Sequence, residues 1–259
     1  MIRQLAFSVS SEWLKQKRSL TFRLVLGSAC FIPTIILLSR FRRSVDLPAL
    51  YRTPGFWDTL WVQTWESMAL MILPLAIMLL VTLITQIEDR GNAWKQVLAS
   101  PQTLATVFVA KLIVILVLVI ELVLLCTVAI YVCGVVPPVL VAGVNAPARF
   151  PLAHFLARDL AFLLDVLPIV ALQYLLALRF RTFLTPLGVG LALWIVSIGT
   201  MSWSYRYLVP YSYAGIDYLA VEYRRQMAMP ARPSAIASGC FVVFTVISYA
   251  LYVSRRDKG

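Results

Sequence analysis

Long apolar stretches with few or no charged residues recur along the chain, separated by short polar segments. A helix of about 20 apolar residues spans the hydrocarbon core of a bilayer, so each stretch predicts a transmembrane helix. The first stretch is short, but the flanking Arg23 and Arg40 can extend toward the headgroups and lengthen it. The pattern predicts an all-α integral membrane fold, a single domain over residues 1–259 with six spans at about 24–40, 66–87, 106–133, 159–179, 183–203 and 234–254.

Composition and charge support the same fold class. Hydrophobic residues make up 61% of the chain and charged residues only 14%, compared with about a quarter charged in an average soluble domain. The net charge of +11 comes from basic residues in short segments beside the spans, which argues against a nucleic-acid-binding domain and favours contact with anionic headgroups. If the N-terminus is cytoplasmic, the segments on the cytoplasmic side contain more basic residues per residue of length than the segments on the outer side. Cytoplasmic segments of membrane proteins usually have this excess, so both termini are predicted to be cytoplasmic. Arg40, Arg42 and Arg43 are the exception, since this orientation places them outside.

The first 20 residues predict a helix that lies on the membrane surface. Leu5, Val9, Trp13 and Leu14 recur near helical spacing, and charged residues lie toward the other side of the helix. These charged residues are Glu12, Lys15, Lys17 and Arg18. One apolar and one charged side are typical of an interfacial helix, although an ordinary solvated helix is an open alternative.

Aromatic and proline residues mark the predicted outer connections. Four closely spaced aromatic residues between the first two spans predict a position at the headgroup level: Phe56, Trp57, Trp61 and Trp65. The segment 134–158 contains four prolines and predicts an irregular connection or a re-entrant hairpin. The tyrosine-rich segment from about residue 202 predicts a re-entrant or interfacial helix that breaks at Pro210.

The cytoplasmic segment after the second span is the most informative part of the chain, because it is too long for a bare turn. Asn92 can cap a short helix, Pro101 stops it, and Lys111 marks the return into the membrane. The apolar residues of this helix share one face: Trp94, Val97 and Leu98. A short amphipathic helix on the cytoplasmic surface is suited to receive mechanical work from a soluble partner. A plain interfacial loop is the open alternative.

Three short segments share a pattern with a known family. They are Glu12-Trp13-Leu14-Lys15-Gln16-Lys17-Arg18-Ser19, the run from Glu88 through Gly91-Asn92-Ala93-Trp94-Lys95-Gln96, Leu98 and Ser100-Pro101 to Ala110-Lys111-Leu112, and Ser254-Arg255-Arg256-Asp257. The central run resembles the first cytoplasmic loop of ABC-2-type exporter permeases. It is most similar to the branch that contains lantibiotic-immunity and bacitracin-resistance permeases.

This resemblance implies an architecture and a set of partners. Members of the family have six helices, an N-terminal elbow helix, here at about 4–20, and a coupling helix, here at about 92–99, that sits in a groove of an ATPase subunit. The matching residues at the coupling site are Glu88, Gly91, Asn92, Trp94, Lys95, Leu98 and Pro101, and those of the elbow helix are Glu12, Trp13, Lys15, Lys17 and Arg18. Two permeases, identical or related, meet above two ATPases in the bacterial cytoplasmic membrane. ATP hydrolysis then moves an amphipathic substrate, such as a peptide, an antibiotic or a lipid-like molecule, outward.

Three polar residues inside the predicted spans are further candidates, for a substrate path or for helix packing: Glu121, Asp165 and Gln173. A charge without a partner in the membrane costs a few kcal/mol or more, and Glu121 lies closest to the middle of its span. His154 is the only histidine and lacks the partners that catalysis or metal binding requires, so no metal site is predicted.

The sequence contains no Gly-x-x-x-x-Gly-Lys-Ser/Thr phosphate loop, so hydrolysis of ATP by that route requires another polypeptide. We therefore expect a non-catalytic membrane subunit with no cofactor of its own, with ATP and Mg bound by the partner ATPase. Two other functions stay open: a permease-like subunit of an exporter for haem or copper-site assembly, and a membrane scaffold without an ATPase.

Overall fold

The computed structural model describes residues 2–16, 19–90, 103–141, 147, 149–180, 182–222 and 233–256. These residues form helices joined by short turns, and none of them is in a strand. The helices are α1 (Ile2–Gln16), α2 (Leu20–Arg42), α3 (Leu47–Tyr51), α4 (Phe56–Ser67), α5 (Leu73–Arg90), α6 (Leu104–Leu140), α7 (Leu152–Arg179), α8 (Leu184–Gly199), α9 (Tyr213–Glu222) and α10 (Pro233–Arg256). A π-helical segment, Met68–Ile72, joins α4 to α5 without a break.

Five of the described helices are long and apolar enough to cross a membrane: Leu20–Arg42, Phe56–Gln86, Leu104–Leu140, Leu152–Arg179 and Pro233–Ser254. The predicted span 183–203 corresponds to α8, a shorter apolar helix of 16 residues that is about 24 Å long. The all-α, multi-span fold class is therefore confirmed. α7 packs against α10, α5 and α6, and α2 packs against α6.

The indoles between the first two spans lie in the protein core. Trp57, Trp61 and Trp65 are 5%, 0% and 0% exposed, so they pack inside the protein, and the prediction that they lie at the headgroup level stays a prediction. α4 begins at Phe56, and the four-residue spacing places the three indoles on one helical face. That face packs against α6 and α7: Trp57 stacks on Tyr131 of α6, and Trp65 stacks on Phe162 of α7 with ring centroids 4.3 Å apart.

α6 continues seven residues beyond the span predicted to end at residue 133, through two consecutive prolines. The prediction of an irregular connection over 134–158 is therefore wrong for 134–140, and also for 152–158, where α7 has already begun. A proline has no N–H, so Pro137 and Pro138 cannot donate to the carbonyls four residues before them. Side chains donate instead: Arg40 Nη1 lies 3.2 Å from the Cys133 carbonyl oxygen, and the Tyr51 hydroxyl lies 2.8 Å from that of Gly134.

The same compensation occurs at Pro74, immediately after the π-helical segment. Pro74 cannot donate to the carbonyl of Leu70, and Trp194 Nε1 of α8 donates to that oxygen at 2.8 Å. An unsatisfied carbonyl in hydrocarbon costs several kcal/mol, so these bonds stabilise the packing of α8 on α5 and of α2 and α3 on α6. Arg40 is 6% exposed, and its guanidinium lies against the protein instead of extending freely toward the headgroups as predicted.

The tyrosine-rich segment forms a short 3₁₀ turn, Arg206–Leu208, and then α9, which begins after Pro210. Tyr211, Tyr213 and Tyr218 are each no more than 2% exposed, because α9 packs against α7 and α10. A helix after Pro210 is thus present, and its re-entrant or interfacial placement stays a prediction.

Candidate functional site

The predicted coupling helix lies outside the residues that the structure describes. The same holds for part of the elbow helix and for all but one of the proposed ATPase contacts: Lys17, Arg18, Gly91, Asn92, Trp94, Lys95, Leu98 and Pro101. Glu88 belongs to the last turns of α5. These assignments stay predictions, and the structure describes the helices on either side of the segment.

Two long helices flank the coupling segment. α5 ends at Arg90, and α6 begins at Leu104, where the Thr103 hydroxyl accepts a hydrogen bond from the Thr106 backbone N–H at 3.2 Å. This is the usual N-cap arrangement, which satisfies a free donor of the first turn. Residues 91–102 are therefore joined directly to α5 and α6 in the chain.

A buried ion pair connects the N-terminal helix to the second turn of α6. The Lys111 Nζ lies 3.6 Å from Oε2 of Glu12, and the two residues are 3% and 5% exposed. The other carboxylate oxygen of Glu12 pairs with Lys15, which precedes the end of α1 by one residue. One carboxylate thus contacts two ammonium groups, one on its own helix and one on α6.

The side of α1 that faces α6 contains polar residues. Ser8, Glu12 and Gln16 are at most 5% exposed, whereas Phe7 and Leu14 are 70% and 67% exposed. The prediction that Glu12 lies on the outer, charged side of the helix is therefore wrong. The reason is Lys111, whose opposite charge offsets part of the cost of burying a carboxylate at this position. The exposed apolar residues are suited to contact with lipid.

The turn between α1 and α2 is held by hydrogen bonds from two hydroxyl groups. The Oε1 of Gln16 accepts from Thr21 Oγ1 at 3.0 Å and from Ser19 Oγ at 3.3 Å. Ser19 also caps α2 by accepting from the Thr21 N–H at 3.2 Å. α1, the start of α2 and the start of α6 therefore form one connected polar site.

A family model described as "ABC-2 family transporter protein" matches residues 8–197. The chain belongs to this family. Members of this family are multi-pass membrane proteins that serve as permease subunits of ABC transporters. Such subunits typically have no catalytic activity of their own, and membership implies an ABC ATPase partner. No curated protein matches the chain significantly. The match includes Glu12 and Lys111, so the buried ion pair lies within the part of the chain that defines this ABC-2 membership.

The three predicted intramembrane residues have different environments in this ABC-2 protein. Gln173 is fully buried and makes three hydrogen bonds, of 3.0 Å to Thr82 Oγ1, 3.0 Å to the Pro186 carbonyl and 3.1 Å from the Tyr211 hydroxyl. These bonds connect α5, α7, α8 and the segment before α9. Gly190 of α8 leaves the space that this junction needs, because a Cβ there would lie 2.6 Å from the Gln173 oxygen.

Asp165 and Glu121 contain buried oxygens that make no hydrogen bond with any described residue. Asp165 is 1% exposed at the middle of α7 and lies near Asp217 of α9, while Glu121 is half-buried on α6. Burial raises the pKa of Asp217, and the positive charge of Arg158 partly opposes this shift. The buried oxygens of Asp165 and Glu121 are therefore candidates for contact with a cation or a substrate group.

Sequence reasoning missed two polar contacts between helices, one buried and one partly exposed. Asp159 is 1% exposed and accepts a hydrogen bond of 2.6 Å from Thr127 of α6. Arg158 is 3.1 Å from Asp58 and lies over the Trp61 ring at 4.5 Å. Both join residues from different helices, and single-helix periodicity carries no signal for such pairs. In the described part of the chain, no group of three His, Cys, Asp or Glu side chains could hold a metal ion.

Proposed function

We propose that this chain is the permease subunit of an ABC exporter and that the segment 91–102 contacts a separate ATPase. The contacts would come from the residues that match the family's coupling helix: Glu88, Gly91, Asn92, Trp94, Lys95, Leu98 and Pro101. ATP and Mg would bind to the ATPase, present in two copies below two permease chains, which are identical or related. The assembly would lie in a bacterial cytoplasmic membrane with both permease termini on the ATPase side, as the density of basic residues favours.

The buried Glu12–Lys111 pair is the observation that carries this proposal. α6 begins two residues after the proposed contact segment, and Lys111 lies seven residues into α6. α6 has 37 residues and is therefore about 55 Å long, enough to extend through a bilayer. A displacement of the segment would move α6, and the ion pair would move α1 with it.

We propose an amphipathic substrate, for which the resemblance to the lantibiotic-immunity and bacitracin-resistance branch is one support. The second support is the outward side of α6, where Val117, Ile120 and Leu124 are 40%, 43% and 41% exposed. Glu121 lies among these residues, half-buried, and would contact either the substrate or the second permease. Asp165 is the second candidate for a substrate path.

The experiment that tests the proposal is purification of the tagged chain from its native membranes, followed by identification of bound ABC ATPase and measurement of ATP hydrolysis. Trp94→Ala and Lys95→Ala should each reduce the amount of bound ATPase. Arg52→Ala is the matched control, because Arg52 is exposed directly after α3 and is not among the proposed ATPase contacts. Absence of an ABC ATPase, together with unchanged transport in both variants, would exclude the proposal. Susceptibility of the host to bacitracin and to a lantibiotic, with and without the gene, tests the proposed branch.

A further inference from the structure

A cavity of about 460 Å³ lies between α2, α3 and α4. This volume is within the range of about 300–1,000 Å³ that small-molecule sites occupy. The cavity lies at the opposite end of α2 from α1, because α2 begins beside α1 and reaches the cavity only at its last turns. None of its lining residues belongs to the proposed ATPase contact, and its role does not depend on an ATPase.

Two cationic and two acidic side chains line the cavity: Arg40, Arg43, Asp46 and Glu66. Charged side chains of opposite sign that line one cavity would ordinarily pair with one another. The side chains of Arg43, Asp46 and Glu66 form no ion pair or hydrogen bond with any residue that the structure describes. Their charges are therefore available to a ligand.

Arg40 has a fixed position in the cavity wall. Both of its hydrogen bonds, to the Tyr51 hydroxyl at 3.4 Å and to the Cys133 carbonyl at 3.2 Å, use Nη1. The guanidinium carbon also lies 5.0 Å from the centre of the Phe56 ring. These contacts orient the group in advance and leave the N–H groups on Nε and Nη2 for an anion, and guanidinium groups bind phosphate in this way.

The position of the cavity indicates a membrane lipid. Arg43 follows the last residue of the first membrane-spanning helix, so the cavity lies where a span meets the headgroup layer. Leu47 and Leu50 add apolar surface to its wall, and Ile35 and Leu38 are exposed on the adjoining part of α2. Acyl chains can therefore continue from the cavity along α2.

We propose that this cavity binds the headgroup of a zwitterionic phospholipid. The phosphate lies against Arg40 and Arg43, and the ammonium group lies against Asp46 and Glu66. The four charges sum to zero, and a zwitterionic headgroup supplies the opposite sign to each pair. An anionic lipid lacks the cation and leaves two carboxylates facing its phosphate, which lowers its affinity.

To test this, the purified full chain is reconstituted in nanodiscs of equal parts phosphatidylethanolamine and phosphatidylglycerol. It is then extracted into mild detergent, and the lipids that remain bound are measured by mass spectrometry. The wild-type chain should retain phosphatidylethanolamine in excess of the bulk ratio. Arg43→Gln and Glu66→Gln should each return the retained ratio to that of the bulk. Arg42→Gln is the matched control, because Arg42 is an exposed neighbour that does not line the cavity, and it should retain the excess.

Three results would overturn the site: an excess of phosphatidylglycerol, the bulk ratio in the wild-type chain, or an unchanged excess in both cavity variants. Because Arg43 and Glu66 are exposed, their replacement should leave the thermal unfolding temperature close to that of the wild type. A variant that unfolds early is replaced by Asp46→Asn, which removes another charge of the same cavity and should also abolish the excess.

Discussion

Replacement of Glu12 by Gln removes the carboxylate from a buried pair of unlike charges. Lys111, 3% exposed, then lies in the protein interior without that carboxylate. Removal of one partner from a buried ion pair costs about 3–5 kcal/mol. The separation of 3.6 Å is longer than that of a good charge-assisted hydrogen bond, so we expect a value near the lower limit, about 3 kcal/mol.

Two related replacements should cost less, and the order of the three is the sharper prediction. Glu12→Gln breaks the contacts of one buried carboxylate with two ammonium groups, whereas Lys111→Met breaks only one of these two contacts, so its cost should be smaller. Lys15→Met is the control, because its side chain is 37% exposed and partly exposed pairs contribute about 0–1 kcal/mol. The double variant Glu12→Gln/Lys111→Met should recover much of the loss, with a coupling energy of about 2 kcal/mol.

Unfolding of the purified full chain in detergent, followed by tryptophan fluorescence, supplies the free-energy differences for this double-mutant cycle. The same variants, assembled with the ATPase, should uncouple ATP hydrolysis from transport if the pair carries motion from α6 to α1. Additive effects of Glu12→Gln and Lys111→Met would refute the reasoning. The pair would then not connect the two helices energetically, whatever its separation.

Three other changes test the packing of the bundle. Gly190→Ala places a methyl group 2.6 Å from the buried Gln173 oxygen and should lower the free energy of unfolding by about 1–3 kcal/mol. Gly188→Ala is the control, because nothing lies within 4 Å of its added Cβ, and it should be nearly neutral in the same assay. Tyr51→Phe removes the donor to a carbonyl freed by proline and should cost about 1–3 kcal/mol, but less in a Pro138→Ala background that restores the N–H. An equal cost in both backgrounds would contradict the proline explanation. Burial raises the pKa of the Asp217 carboxyl, so the wild-type chain loses stability when this group ionises. Asp217→Asn should therefore raise the unfolding temperature, and the increase should grow as the pH rises above about 4. A difference that does not depend on pH would show that another property of the carboxylate is responsible.

The membrane-spanning helices and the family were predictable from the sequence, for a physical reason. A bilayer requires about 20 apolar residues in a helix, and that requirement is local in the chain. The stretches around Glu121 and Asp165 each satisfy it with a single charge, and the corresponding helices α6 and α7 are present. The bounds were less accurate, because Pro137 and Pro138 read as breakers and α6 nevertheless continues to Leu140.

The candidate site was predictable only as a list of residues. Glu12 and Lys111 were both noted in the sequence, at the N-terminal helix and at the return into the membrane. Their pairing was not predicted, because 99 positions separate them in the chain and periodicity within one helix does not say which residue lies opposite. The coupling residues around Trp94 stay predictions from resemblance, since they lie outside the described part of the chain.

The sequence by itself determined that this chain is helical, crosses the membrane repeatedly and belongs with the ABC-2 permeases, because hydropathy and short motifs are properties of contiguous residues. The tertiary structure alone decided which buried polar groups satisfy one another: Lys111 with Glu12, Arg40 and Tyr51 with the carbonyls freed by prolines, and Gln173 with Thr82, Pro186 and Tyr211. The physical reason is that a polar group in an apolar interior must find a partner, and the nearest one in space belongs to a distant part of the chain.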